Sequence, residues 1–126
     1  MPTPPEILAT YLKVRWLLRR RQLPEVVARL RAEGARRRAA GPALDPAGVW
    51  RCAEAVLRVL RLLPTDSRCL VRSLVLLAVL ARRGAEAELV IGVLPQPRFA
   101  AHAWLEHDGV PLLRAGAAGT GRIATL

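Results

Sequence analysis

The sequence predicts an α+β fold, with helices first and a small antiparallel sheet after them. Three observations carry that expectation. Apolar residues recur at spacings of three and four as far as Gly84. Beyond it the pattern turns to short branched runs such as "AELVIGV", residues 87–93. Asp108-Gly109 then divides "FAAHAWLEHDGVPLL" into two such runs, which is the signature of a tight hairpin.

The elements follow in order. Pro4 and Pro5 stand where a first helix begins, and Ile7, Leu8, Tyr11, Leu12, Val14, Trp16, Leu17 and Leu18 follow at mixed helical spacing. The segment closes on Arg19-Arg20-Arg21. "LPEVVARLRAEG" reads as a second, short helix, with Pro24 early, Glu25 in the first turn and Gly34 as its stop. Residues 35–48 form the expected flexible connection. Asp45 is a good cap for a third helix, and Pro46 follows it. Val49, Cys52, Ala53, Val56, Leu60 and Leu63 make one apolar stripe, closed by Pro64. A fourth helix opens after "TDS" and runs through Leu70, Leu74, Leu77 and Leu80 to Gly84. "GRIATL" supplies a last short strand.

Composition narrows the classes of function. A length of 126 residues suits one domain with a core that needs neither disulfide nor metal. An apolar content of 52% excludes overall disorder. The net charge of +10 favours acidic partners. Only five aromatics accompany that charge, too few to interleave with basic residues as stacking platforms, which argues against nucleic acid. Two cysteines form neither a disulfide framework nor a zinc site. In "MPTPPEILATYLKVRWLLRRR" the charge follows the apolar part, the reverse of a secretory signal. The longest uncharged apolar run, residues 73–81, is far below the ~20 residues that span a bilayer. A soluble cytoplasmic protein without membrane contact is expected.

The two cysteines differ in position. Cys52 lies on the apolar stripe of the third helix, where a small buried hydrophobe accounts for it. Cys69 falls in the first turn of the fourth helix if Asp66 or Ser67 is the cap. Free amide N–H groups and the positive end of a helix dipole favour a thiolate at such a place, and Arg68 and Arg72 add positive charge. On its own, that position is also compatible with a structural cysteine. A nucleophile needs a base, and the chain has two histidines. Strand alternation puts His102, Trp104 and Glu106 on one face of the hairpin strand and Ala103, Leu105 and His107 on the other. His107 flanks the turn and should face solvent. His102 sits mid-strand, as a base or as a packed histidine.

"CLVRSLVLL", "RRGAEAELVIGV" and "FAAHAWLEHDG", in that order and spacing, resemble the transglutaminase-like cysteine peptidases that remove the leader from lasso-peptide precursors. The resemblance covers residues 63–109, and the helical half before it matches only in general character. It implies a papain- or transglutaminase-like arrangement within one domain, 1–126, with 1–48 as a helical N-terminal part and 49–126 as the catalytic core. It implies Cys69 as nucleophile and His102 as base, with no metal and no cofactor. Arg72 falls on the arginine of the family's signature, and Trp104, beside His102, is a candidate pocket wall. The implied partners are a precursor peptide, a separate leader-recognition protein and an ATP-dependent lasso cyclase. Arg19 to Arg21 with Arg36 to Arg38 form a candidate docking face.

The sequence departs from the pattern at the third catalytic member. A two-residue turn at Asp108-Gly109 pairs His107 with Val110 and Glu106 with Pro111, and continuing that ladder sets Ala115 opposite His102. No acidic residue lies within a slip of two positions. Glu106 lies about 13 Å from His102 along the strand, and Asp108 roughly 20 Å. Asp66 could approach from the helix side. A Cys–His dyad is therefore expected, with the third role filled by a carbonyl, a water, Thr120 or a partner. A non-catalytic module, binding a leader or nucleic acid, is the alternative.

Overall fold

The computed structural model describes residues 1–63, 69–94, 100–112 and 121–126. Within them the chain forms α1 (Pro4–Arg20), α2 (Leu23–Arg36), α3 (Pro46–Leu60) and α4 (Cys69–Ala81). The strands β1 (Glu88–Leu94), β2 (Ala100–His107), β3 (Val110–Pro111) and β4 (Gly121–Thr125) follow. The sheet order is β3-β2-β1-β4, with every pairing antiparallel. The α+β expectation holds.

The helix starts follow local chemistry. Thr3 caps α1 by accepting the Glu6 N–H, and Asp45 caps α3 by accepting the Gly48 N–H at 2.7 Å. Each of the first three helices carries proline in its first two positions, where a missing N–H costs no helical bond. The turn Asp108-Gly109 has positive φ at both residues, 51° and 77°, as a two-residue hairpin requires. The forecast pairs His107–Val110 and Glu106–Pro111 are observed, and Leu112 donates to the Leu105 carbonyl at 2.9 Å.

Helix α4 is the centre of the molecule. Every residue from Ser73 to Leu80 is buried, so the helix has no solvent face for half its length. It packs against α1, α2, α3, β1 and β2. The mixed apolar pattern of α1 resolves accordingly. Ile7, Tyr11, Val14 and Leu17 enter the core, whereas Leu8, Leu12 and Trp16 stay outside. From the sheet, Leu89, Ala103 and Leu105 join the same cluster. No helix among the described residues is long and apolar enough to cross a membrane.

Four details depart from the sequence reading. Gly34 does not stop α2, which continues to Arg36. It is buried against α4 instead. A Cβ there would lie 2.4 Å from the Ala81 Cβ and 2.9 Å from the Ala81 carbonyl carbon. The helix keeps glycine because two backbones meet at that point. Residues 35–36 and 46–48, assigned to the connection, already belong to α2 and α3. The third helix ends at Leu60, short of Leu63, and Pro64 lies outside the described residues. His107 is half-buried rather than solvent-facing, and its Nδ1 donates to the Glu86 carbonyl at 2.6 Å, tying the turn to the start of β1.

The arginine groups do not make one face. Arg19 to Arg21 lie at the junction of α1 and α2, and Arg36 to Arg38 lie at the far end of α2, about 20 Å away along that helix. Arg38 folds over Gly84, and Arg37 pairs with Glu33.

An ion pair closes the other end of α4 onto α1. Arg83 grips both carboxylate oxygens of Glu6, at 2.9 and 2.8 Å, and Arg82 approaches the same group at 3.5 Å. The hydrogen bonds from Arg83 hold the Glu6 carboxyl below its ordinary value of 4.5, against an opposite push from burial. A depressed carboxyl stabilises the folded chain above that value and loses its contribution as pH falls through the folded one. Urea midpoints of wild type and Glu6→Gln should therefore differ most near neutrality and converge below pH 4.5. A gap that does not change with pH would refute the ion-pair account. For Gly34→Ala, helix propensity alone gains about 1 kcal/mol. The clash with the Ala81 backbone outweighs it, and the thermal midpoint should drop by an amount equivalent to ~1–3 kcal/mol. An unchanged or raised midpoint would show that α2 and α4 can part freely.

Candidate functional site

Cys69 is the first residue of α4, and it is half-buried. Its sulfur accepts a hydrogen bond from the Ala103 backbone N–H at 3.4 Å. That amide belongs to the peptide bond joining His102 to Ala103. The His102 Cα therefore lies within about 6 Å of the sulfur. A cavity of about 250 Å³ opens at this junction, and Cys69, His102, Arg72, Ser73, Ala103, Leu57 and Arg61 line it. Helix α3 supplies Leu57, α4 supplies Cys69, Arg72 and Ser73, and β2 supplies His102 and Ala103.

Strand geometry explains how a helix and a strand present these two groups together. In an antiparallel strand successive residues direct their backbone groups to opposite edges, so residues two apart share an edge. Leu105 directs its carbonyl toward β3, so the Ala103 N–H leaves β2 by the same edge. The sulfur receives it there, beyond the two residues of β3. His102 shares the face of Trp104, opposite the face whose Ala103 and Leu105 meet the helices. An acceptor at the strand edge lies in the plane of the sheet, where a side chain on either face can turn to it. The i, i+3 spacing brings Arg72 onto the same side of α4 as Cys69, at the cavity.

Trp104 takes a different place from the one the sequence suggested. It is buried but does not line the cavity. Its ring lies 6.1 Å from the His102 ring, tilted by 33°, and its Nε1 donates to Glu106 at 2.8 Å. Glu106 thus fixes the tryptophan that packs beside His102. On its other side His102 pairs with Gly92 of β1, which offers no side chain to the imidazole. Asp66, Thr120 and Ala115 lie outside the described residues. Cys52 is buried on α3, and burial pushes its thiol up, away from reactivity.

A larger cavity, about 660 Å³, lies toward the opposite end of α4, between Leu77 and Ala81, the start of β1 and the hairpin turn. Charged side chains line it, among them Arg31, Arg38, Glu86, Glu88, Glu106 and Asp108, but no cysteine, histidine, serine or threonine among the described residues does. Nucleophilic chemistry therefore points to the smaller cavity, despite its size.

Ser73 went unweighted in the sequence, although it follows Arg72 directly. It is fully buried one turn after Cys69, and its hydroxyl has no hydrogen-bond partner among the described residues. Helical spacing from Cys69 was the signal that could have found it. A buried hydroxyl without a partner contributes nothing to offset its desolvation. Ser73→Ala should leave the thermal midpoint unchanged or raise it. A loss equivalent to more than ~1 kcal/mol would reveal a bond to that hydroxyl.

Comparison with known proteins covers nearly the whole chain. The transglutaminase-like superfamily matches residues 8–125. No curated protein and no solved structure matches the chain. The matched span takes in all but the first turn of α1, the helix that opens on Cys69, and the strand that carries His102. With the family matched from α1 to β4, the chain belongs to the transglutaminase-like superfamily, which includes cysteine peptidases.

Proposed function

We propose that this chain is a cysteine peptidase that cleaves the leader from a lasso-peptide precursor. The observation that carries the reading is the contact between the Cys69 sulfur and the amide next to His102, on one cavity. The order and spacing of "CLVRSLVLL", "RRGAEAELVIGV" and "FAAHAWLEHDG" support the choice of substrate.

The chemistry uses the chain's own residues. His102 takes the thiol proton, and the Cys69 sulfur attacks the carbonyl carbon at the junction of leader and core. The oxyanion that forms is met by the Cys69 backbone N–H, which is free of helical bonding in the first turn. His102 returns its proton to the departing amine as the C–N bond breaks. Water, deprotonated by the same imidazole, then releases the acyl group from sulfur. Trp104, held by Glu106, restricts the His102 ring by packing. A separate leader-recognition protein delivers the precursor, and an ATP-dependent cyclase uses the released core.

Two measurements test this together. Iodoacetamide should modify Cys69 and spare Cys52, and His102→Ala should slow the Cys69 reaction about tenfold or more near neutral pH. With precursor and recognition protein present, mass spectrometry should show leader release by wild type and a loss of ~10⁴-fold or more in Cys69→Ala. Equal cleavage by Cys69→Ala ends the nucleophile assignment, and alkylation unaffected by His102→Ala ends the dyad.

A further inference from the structure

We propose that the outer face of α1 is a docking surface for an acidic, amphipathic partner protein. Three large apolar side chains are exposed there, Leu8 at 37%, Leu12 at 65% and Trp16 at 53%. Their spacing of four places them in one row along the helix. The core-facing row of α1, from Ile7 to Leu17, is already buried, so nothing in the fold requires this second row to be apolar.

The arginines around the row define what can cover it. Arg20 lies over the Trp16 ring at 5.0 Å. Arg15 lies over Tyr11 at 5.6 Å and donates to its hydroxyl. Arg19 is exposed at the same end of the helix. The surface is thus an apolar ridge with a cationic rim, on a chain of net charge +10. A partner must bring apolar side chains for the ridge and carboxylates for the rim.

The same features decide against other occupants. Two copies of the chain placed face to face would oppose arginine to arginine, at a cost in like-charge repulsion. A membrane-surface helix commits its broad apolar face to lipid. Here the broad face is committed to the core, and the exposed row is one residue wide. Phosphate groups of nucleic acid would use the arginines and leave the leucines exposed. This inference stands apart from the peptidase reading, since no residue of the row lines the Cys69 cavity.

The test uses the full chain and a labelled, short helical peptide with one leucine row flanked by glutamates. A twin peptide with lysine for glutamate is the control, with phosphatidylserine–phosphatidylcholine vesicles as a second probe. The glutamate peptide should bind at least about tenfold more tightly than its twin. Leu12→Asp, and separately Arg19→Glu with Arg20→Glu, should each weaken it about tenfold, with unchanged circular dichroism. All three positions are exposed, so the fold should tolerate these changes. Equal binding of the twin peptides, or indifference to the variants, would overturn the proposal. Vesicle binding lost in the same variants would assign the face to lipid instead. Self-association abolished by Leu12→Asp would assign it to a second copy.

Discussion

The structure depends on the burial of α4. A helix apolar on every side is stable in water only if other elements surround it. Three helices and two strands do so here, and each contributes one apolar stripe or face. The leucine and valine run of residues 74–80 thus sets where the other elements sit. It also fixes the site, because the residue that opens the helix is Cys69. Once α4 lies against β2, the sulfur has one place to go, the edge of that strand next to His102.

The two ends of α4 are held by different physics. At the C-terminal end, Gly34 lets α2 approach Ala81 at backbone distance, and Arg83 clamps α1 through Glu6. Those contacts are tight and charge-assisted. At the N-terminal end the sulfur accepts one weak N–H bond, and a cavity separates the neighbouring side chains. Among the described residues, the closest backbone approach and the charge clamp thus lie at the end of α4 away from the candidate site, and the cavity lies at the other.

Much of the fold was legible because local signals stand alone. Asp45 caps its helix with its own carboxylate, and Asp108-Gly109 supplies both positive φ angles without outside help. The hairpin register follows from that turn by counting, and with it the shared face of His102, Trp104 and Glu106. The failures are tertiary. Gly34 reads as a helix stop because the demand for it comes from Ala81, 47 positions away. The arginine triplets read as one surface because a sequence does not show that the length of α2 separates them. Leu57 and Arg61 belong to the cavity through helix packing alone, which no spacing rule within one element discloses. The mixed pattern of α1 hid two rows, and only the position of α4 shows which is inside.

The juxtaposition of His102, Trp104 and Glu106 bears on how a histidine can be oriented. A third catalytic residue usually acts by hydrogen-bonding the far ring nitrogen, which fixes both tautomer and rotation. Packing can supply rotation without fixing tautomer. A tryptophan pinned through its Nε1 by a buried carboxylate is a rigid wall, and the His102 ring lies beside it. A cysteine nucleophile tolerates this division better than a serine, because a thiol needs less help from its base to ionise. The sulfur meets the strand at the Ala103 N–H, next to His102. If His102 is the base of the proposed reaction, the carboxylate of Glu106 reaches it at one remove, through the indole it holds, and its position two residues past Trp104 on the same strand face makes that route geometrically available.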